Sequence, residues 1–433
     1  MPLRDIFLTL FFAALIPAIF FRHWLGPLVW AWVSMMNPHR LTWGFAYAMP
    51  FAQLIAAVTL LVALFTRNKR PFPVCAPTVF MVLFVLWTGV TTAFAINSSG
   101  ASFDMWEKVI KIHIMLWVTL VMIIGRQQII WLIWVITLSI GFFGIKGGVW
   151  TVLTGGSSRV WGPPGSFIEG NNELALALVI ILPLMYFLRG ELSRPIAKHL
   201  ITIAMVFIGF SILGSHSRGA FLALISMALF LGSKSSRPFL SSIVILSILA
   251  TTLLFMPENW WDRMASIQTH QDHSSQSRLY TWRMILNLVQ HRPIVGAGFE
   301  LATPEVWILY AVGEWRLPYS PHSIYFQALG EHGFVGLFLY TGIGIMSWRL
   351  ASHIIVAVKD RPDLQWAANL MRSIHVSLIS FAVGGAFLNL VNFDVPYYLI
   401  GIIALVWRDL QIDYGIQFDK KPLRQTGTFS PKK

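Results

Sequence analysis

The stretch PHSIYFQALGEHGFVG, residues 321–336, joins a long polar segment to an apolar helix. Its first titratable residue, His322, therefore stands where water meets the apolar interior of the protein. An imidazole at the first turn of a helix feels the positive end of the helix dipole, which favours its neutral, proton-accepting form. Gln327 and Glu331 follow four residues apart and share one face of the predicted helix. This pattern makes His322 a candidate general base.

The rest of the chain has the composition of a protein that is dissolved in lipid. Of its 433 residues, 56% are hydrophobic and only 12% are charged, whereas a soluble protein carries roughly 25% charged residues. Apolar runs of about 20 residues, the length that crosses a bilayer, recur along the chain. The net charge of +13 fits basic cytoplasmic loops better than nucleic-acid binding. Cys75 is alone, which excludes an intramolecular disulfide and a cysteine metal site.

The basic loops predict the orientation in the membrane, because lysine and arginine gather on the cytoplasmic side. No signal-peptide cleavage site follows the first apolar run, so we expect that run to remain as a span. The apolar stretch 23–36 breaks the alternation, and we interpret it as an interfacial or re-entrant segment. Both termini are then cytoplasmic, including a basic tail at 409–433. The basic loops are 67–70, 125–128, 189–198, 232–237 and 349–361, and the twelve predicted spans lie near 5–21, 45–66, 74–95, 107–124, 128–146, 173–188, 199–214, 219–232, 239–256, 323–347, 368–389 and 396–407.

The sequence predicts one all-α membrane domain, residues 1–433, with one long outer loop at 257–321. Within this loop, apolar residues recur at helical spacing over 277–290, which is typical of an amphipathic helix that lies on the membrane. Pro293, Gly296 and Gly298 then predict a turn. We find no soluble domain and no clear internal repeat. The other outer segments are 97–104, 147–172, 215–218 and 392–394.

Arginines on the outer side are exceptions to the gathering of basic residues on the cytoplasmic side. Each of them is therefore a candidate functional residue. Arg218 lies between two spans that almost no loop separates, and ionisable groups at membrane depth usually face a cavity or an anion. Its forked guanidinium suits phosphate, although an interfacial arginine that reaches lipid headgroups is the alternative. Arg278 begins the amphipathic helix, where a solvated polar face is the alternative. Arg159 lies in a flexible Gly/Ser-rich segment, as a candidate for donor or acceptor binding.

Other polar residues are candidates for supporting roles. Ser323 and Gln327 accompany His322, whereas Glu331 lies about 13 Å further along the helix at ~1.5 Å per residue. At that distance Glu331 cannot orient His322, and we expect it to satisfy a buried partner such as an arginine. Asn171 opens a span, where helix capping is the simpler explanation and an anion-facing role is the alternative.

Two further patterns concern packing and metal binding. The glycines at 330, 333 and 336 repeat every three residues, which favours close helix packing. The outer carboxylates contain no Asp-x-Asp pair, whereas a metal that chelates a diphosphate prefers closely spaced oxygen ligands. We therefore expect no metal and no cofactor.

These residues give the chain a resemblance to the O-antigen ligase and O-antigen polymerase superfamily of bacterial envelope glycosyltransferases. His322-Ser323, nine residues, Gly333, two residues and Gly336 resemble the signature His-[Asn/Ser/Gln]-x9-Gly-x2-Gly of that family. The resemblance covers about residues 150–410. Residues 1–150 are similar, more weakly, to the N-terminal region of ligase-like members found with exosortase-type polysaccharide systems. Supporting segments are Arg278 with Trp282, 217–219, 165–171 and 291–298, in which His291 stands where the family often has Asn.

The resemblance implies a GT-C-type, metal-independent, inverting glycosyltransferase. It would move a glycan from undecaprenyl diphosphate onto lipid A–core on the periplasmic face of the bacterial inner membrane. His322 would deprotonate the acceptor hydroxyl. Arg218 and Arg278 would neutralise the charge that grows on the leaving diphosphate.

Three alternatives remain open. An O-antigen polymerase would use the same donor with a second lipid-linked glycan as acceptor, and a protein O-oligosaccharyltransferase would use a Ser or Thr hydroxyl. A transporter of anionic lipid-linked sugar belongs to a different class and favours repeated halves with broken helices. The single large loop in the C-terminal third argues against such symmetry.

Overall fold

The chain folds into a bundle of α-helices. The computed structural model describes residues 3–97, 100–233, 273–313 and 317–418, and this part of the chain contains no β-strand. Short 3₁₀ turns occur at Pro38–Leu41, Phe45–Ala48 and Pro362–Leu364. The helices of the described part are α1 (Leu3–Phe21), α2 (Leu25–Met36), α3 (Phe51–Phe65), α4 (Ala76–Ala93), α5 (Ala101–Met122), α6 (Gly125–Leu153), α7 (Asn171–Glu191), α8 (Pro195–Gly214), α9 (Arg218–Ser233), α10 (His273–His291), α11 (Pro304–Tyr310), α12 (Ile324–Ala357), α13 (Gln365–Gly385) and α14 (Asp394–Tyr414).

Seven of these helices, namely α1, α4, α6, α7, α8, α12 and α14, are long and apolar enough to cross a bilayer. Each coincides with a predicted span. The predicted spans 45–66 and 219–232 form α3 and α9, which are apolar but shorter, with 15 and 16 residues. The spans 107–124 and 368–389 form α5 and α13, and 239–256 lies outside the described residues. The architecture is that of an all-helical polytopic membrane protein, and the number of twelve spans stays a prediction.

Large apolar side chains cover the outer surface of the bundle. Phe7 on α1 is 71% exposed, Leu64 on α3 is 73% exposed and Ile196 on α8 is 76% exposed. Soluble monomers rarely expose such contiguous apolar surface, because water makes it unfavourable. These faces therefore fit contact with lipid chains.

Helices α7 and α14 form the centre of the bundle. Every residue of α7 from Leu174 to Met185 is buried, and so is every residue from Val391 to Val406 in and before α14. A helix that is apolar all round is stable only when other helices surround it. Helices α6, α8, α9 and α13 pack on α7, whereas α4, α5, α6, α12 and α13 pack on α14.

The stretch that broke the predicted alternation forms the short helix α2. Its twelve residues give a length of about 18 Å, which is less than the ~30 Å of the bilayer core. Most of α2 is buried, and it packs on α3, α5 and α6. Other helices thus enclose most of α2, and its position as an interfacial or re-entrant segment stays a prediction.

The predicted amphipathic helix 277–290 lies inside α10, but its apolar residues divide between two faces. Ile285 and Val289 are buried in a cluster with Trp307 of α11 and Leu329 of α12. On the other face, Leu279 and Leu286 are each 48% exposed. One side of α10 therefore packs on α11 and α12, and only the other side is free to contact the membrane.

Candidate functional site

His322 lies in a strained turn immediately before α12. Its φ of 46° is in the left-handed region, which residues other than glycine rarely adopt. Its backbone N–H donates a hydrogen bond of 2.7 Å to Oδ1 of Asn389. The following residue, Ser323, is the N-cap, and its hydroxyl accepts a hydrogen bond from the N–H of Phe326. His322 therefore precedes the helix, and the expectation that it occupies the first helical turn is wrong.

Helix α10 holds this turn from a second side. The indole N–H of Trp282 donates a hydrogen bond of 2.8 Å to the carbonyl of Pro321. The Trp282 ring also stacks on Phe326, with 4.6 Å between centroids and 5° between planes. Arg278 lies one helical turn before Trp282 on the same helix, and residues four apart share a face. The packing of Trp282 thus brings Arg278 towards His322.

The electrostatics of His322 agree with this placement. The pKa of His322 is lowered from 6.5 to about 4, first because burial disfavours the charged imidazole and second because of the positive charge of Arg278. The charge of Arg278 also acts on Glu173 in the first turn of α7. The Nδ1 atom of His322 is buried and meets no hydrogen-bond partner among the described residues. Burial, rather than the helix dipole, therefore keeps this imidazole neutral and able to accept a proton.

Arg218 begins α9 after the tight turn that the sequence predicted. Helix α8 ends at Gly214, and His216 in the turn has a φ of 57°. The Nε2 of His216 pairs with the carbonyl of Gly156 at 2.8 Å. The side-chain amide of Asn171 donates a hydrogen bond of 2.7 Å to the carbonyl of Ser215. These contacts fix the turn that presents Arg218.

Asn171 therefore has a role that differs from the expected cap. Gly170 is the N-cap of α7, and this helix has no side-chain cap hydrogen bond. Asn171 is the first helical residue and is buried against the 215–218 turn instead. Its amide ties the start of α7 to the turn that carries Arg218.

One segment, residues 386–393 between α13 and α14, connects the Arg218 and His322 turns. Gly219 lies against Phe387, so that a Cβ at Gly219 would be 3.3 Å from the Cβ of Phe387. Two residues later, Asn389 accepts the hydrogen bond from His322. The N–H of Val391 then donates a hydrogen bond of 3.3 Å to Oε1 of Gln327. We name residues 386–393 the linking segment.

Sequence reasoning missed Asn389. Arg159, by contrast, was a candidate from the sequence, but it is exposed and makes no hydrogen bond or ion pair with any described residue. The available signal was an asparagine at the outer end of the predicted span 368–389, three residues before the polar segment 392–394. An amide at that depth needs a partner, but sequence does not reveal that this partner is a backbone N–H 67 positions away.

Gln327 and Glu331 share a helix face, as predicted. Nε2 of Gln327 lies 3.3 and 3.4 Å from the two carboxylate oxygens of Glu331. On the other side, Oε2 of Glu331 is 3.8 Å from Nε2 of His332, whose Nδ1 pairs with the Thr91 hydroxyl at 2.8 Å. The expected arginine partner of Glu331 is not found among the described residues. Gln327 instead joins Glu331 to the linking segment.

Gly333 serves a turn rather than a helix–helix contact, whereas Gly330 lies close to Ile285 of α10, as close helix packing requires. Gly333 has φ 68° and ψ −170°, which interrupts α12. A Cβ at Gly333 would lie 2.1 Å from the carbonyl oxygen of Ile294. The N–H of Phe334 donates to the carbonyl of Pro293 at 2.8 Å, and the N–H of Ala297 donates to the carbonyl of Gly330 at 2.8 Å. The segments 291–298 and 330–334 therefore dock backbone to backbone.

Metal-binding groups are sparse in the described ranges. No three His, Cys, Asp or Glu side chains come together there in a way that could hold a metal ion. The groups that act on the His322 turn there are the amide of Asn389 and the guanidinium of Arg278.

Two family models match the chain. Residues 3–193 match a family of unknown function, and residues 203–341 match a family described as O-antigen ligase. The second match contains Arg218, Arg278, His322, Gly333 and Gly336. No curated protein matches the chain. Residues 203–341 therefore match an O-antigen ligase domain, and this match supports the resemblance of the chain to the O-antigen ligase and polymerase superfamily.

Proposed function

We propose that this protein transfers a glycan from undecaprenyl diphosphate onto lipid A–core at the periplasmic face of the bacterial inner membrane. The observation that carries the proposal is the link between a neutral, half-buried histidine and two arginine positions. Arg278 acts electrostatically on His322, and the linking segment joins the Arg218 turn to the His322 turn. A base beside guanidinium groups suits attack by a hydroxyl on a diphosphate-activated sugar.

The reaction follows from these positions. His322 accepts the proton of the acceptor hydroxyl as its oxygen forms a bond to the anomeric carbon. The bond between that carbon and the diphosphate oxygen breaks, and its electron pair stays on the diphosphate. Arg218 and Arg278 neutralise this charge. The attack comes from the face opposite the leaving group, which inverts the anomeric centre, and His322 then gives its proton to water.

A metal ion is not required in this scheme. A diphosphate is a good leaving group, so positioning of the two substrates and compensation of charge supply the catalysis. The guanidinium fork binds two oxygens of one phosphate at once, which fixes the leaving group in line with the attacking hydroxyl.

An apolar groove beside His322 suits the polyprenyl chain of the donor. The groove has a volume of about 490 Å³ and begins at Ile324 and Tyr325. It continues between α12, α13 and α14 as far as Trp348. Helix α12 bends at Gly333, so that Tyr325 before the bend and Tyr340 after it line the same groove. A lipid chain in this groove would leave its diphosphate near the arginines.

The decisive experiment uses purified protein and a purified lipid-linked glycan donor. Lipid A–core, a second molecule of the lipid-linked glycan and a pilin-like protein are offered separately as acceptors. We expect glycan transfer to lipid A–core only. Transfer to the second lipid-linked glycan would indicate an O-antigen polymerase, and transfer to the pilin would indicate a protein O-oligosaccharyltransferase; either result would contradict the proposed acceptor.

A further inference from the structure

A second cavity, of about 580 Å³, lies among α2, α3, α5, the 165–168 loop and the start of α14. We name it the N-terminal cavity. It lies largely outside the O-antigen ligase match, in the part of the chain that resembles a family of unknown function. The groove and the two arginines proposed for the donor do not line it.

The lining of the N-terminal cavity changes from charged to apolar along α5. Asp104, Glu107, Lys108 and Lys111 line one part, and Ile112, Ile114 and Met115 line the next. The twelve residues from Asp104 to Met115 span about 16 Å of helix, roughly half of the ~30 Å hydrocarbon core. The cavity thus has a charged mouth and an apolar interior, with the depth of a single leaflet.

The ion pairs at the mouth leave one lysine available. Lys111 pairs with Glu107 on the same helix. The charges of Asp394 and Glu300 act on Lys108, but Lys108 makes no close ion pair with any described residue. Its Nζ lies 4.1 Å from the ring centroid of Phe167. An ammonium group that is held over an aromatic ring and makes no close ion pair is suited to an incoming anion.

The mouth of the cavity is connected to the catalytic turn by a short piece of chain. Asp394 lines the cavity and accepts a hydrogen bond of 2.8 Å from Ser34. It follows Asn389, which binds the backbone of His322, by five residues. Five residues reach at most about 18 Å, so an amphiphile in the cavity extends its headgroup to within roughly that distance of the His322 turn.

We propose that the N-terminal cavity binds the lipid anchor of the acceptor, a phosphorylated and multiply acylated glycolipid, with a phosphate group on Lys108. The apolar interior holds acyl chains, and Asp104 accepts hydrogen bonds from sugar hydroxyls beside the phosphate. This inference rests on the proposed function, because only a transferase with two lipid-linked substrates needs a second amphiphile site. Donor and acceptor then enter from different sides of the linking segment.

The test measures binding of lipid A–core to the purified full-length protein in detergent, without donor, by native mass spectrometry. Ala57→Trp fills the cavity from an exposed position on α3, and Lys108→Gln removes the cation. Leu61→Trp is the matched control, because Leu61 is 46% exposed on the same helix and does not line the cavity. We expect Ala57→Trp and Lys108→Gln to weaken lipid A–core binding about tenfold or more, whereas Leu61→Trp binds normally.

Two further arms identify the ligand and separate this inference from the proposed reaction. Phosphatidylethanolamine and phosphatidylglycerol should compete poorly for the cavity; equal competition would mean an ordinary membrane lipid site and would overturn the proposal. His322→Ala should bind lipid A–core normally, because it removes only the base. Wild-type binding in both Ala57→Trp and Lys108→Gln would also overturn it, even if glycan transfer by the unmodified protein is confirmed.

Discussion

Oδ1 of Asn389 accepts a hydrogen bond of 2.7 Å from the backbone N–H of His322, and this contact holds His322 at a φ of 46°. A left-handed conformation at a residue other than glycine costs of order 1–3 kcal/mol and persists only where its surroundings determine it. Trp282 supplies the second restraint through the carbonyl of Pro321. The direction of the imidazole is therefore set by side chains from two other parts of the chain.

Asn389 is accordingly predicted to be a positioning residue. Asn389→Ala removes the acceptor, so we expect kcat to fall about tenfold or more because the base loses its alignment, while KM for either substrate changes little. Asn389→Asp keeps an acceptor oxygen and should restore most of kcat. Its added negative charge should raise the pKa of His322, moving the acidic limb of the pH profile upward. Steady-state kinetics over pH measure both effects; an Asn389→Ala protein with unchanged kcat would exclude the role.

The pH dependence of transfer should reflect the lowered pKa of His322. Because that pKa is about 4 instead of 6.5, the imidazole is neutral above about 4 and is protonated, and useless as a base, below it. We expect kcat/KM, which reports the free enzyme, to stay level from about pH 8 to about pH 5 and then fall. Arg278→Gln removes the second cause of the shift, so the midpoint should move to higher pH. A wild-type midpoint near 6.5 would disprove this description of the site.

Arg218→Lys tests whether a guanidinium fork binds the diphosphate. Lysine keeps the positive charge but loses the two parallel N–H donors. We expect at least about a tenfold loss of kcat/KM for the donor, with an unchanged KM for lipid A–core. Arg194→Lys is the matched control, since Arg194 is exposed and is the N-cap of α8, at the end opposite the Arg218 turn. Equal activity of Arg218→Lys and the unmodified protein would argue for an arginine that reaches lipid headgroups.

Gly333→Ala tests the docking of the two glycine-containing segments. The new Cβ would be 2.1 Å from the carbonyl oxygen of Ile294, at a φ of 68°. We expect the thermal unfolding temperature to fall, because the strain of φ alone costs about 1–2 kcal/mol. Gly209→Ala on α8 is the control; its Cβ meets no atom within 4 Å, so the change should be neutral or stabilising by up to about 1 kcal/mol. Equal unfolding temperatures for both variants would contradict the observed packing.

Much of the helical architecture was predictable, because each span is a long apolar run between basic or glycine-containing loops. The seven longest apolar helices all match predicted spans. Helix ends were less accurate: α12 continues to Ala357 and is interrupted at Gly333. That interruption depends on a backbone contact with Ile294, which local periodicity does not contain.

A site residue was predictable where its polar side chain is energetically unfavourable at its own position in the membrane. It was unpredictable where its role depends on a partner that is distant in sequence. Arg218 attracted attention because a guanidinium between two spans needs an anion or a cavity. Asn389 and the bond from Asn171 to Ser215 involve pairs 67 and 44 positions apart. Glu331 lies on the same helix face as Gln327, as predicted. The expectation that an arginine pairs with Glu331 is wrong for the described residues, because the amide of Gln327 and the ring of His332 lie beside it instead.

The most direct test of the central claim is glycan transfer by His322→Ala, measured with purified lipid-linked donor and lipid A–core. His353→Ala is the control, because His353 is exposed near the other end of α12. Removal of a general base should lower kcat by at least about a hundredfold, while binding of both substrates and the unfolding temperature stay close to those of the unmodified protein. Transfer by His322→Ala at the rate of His353→Ala would contradict the account.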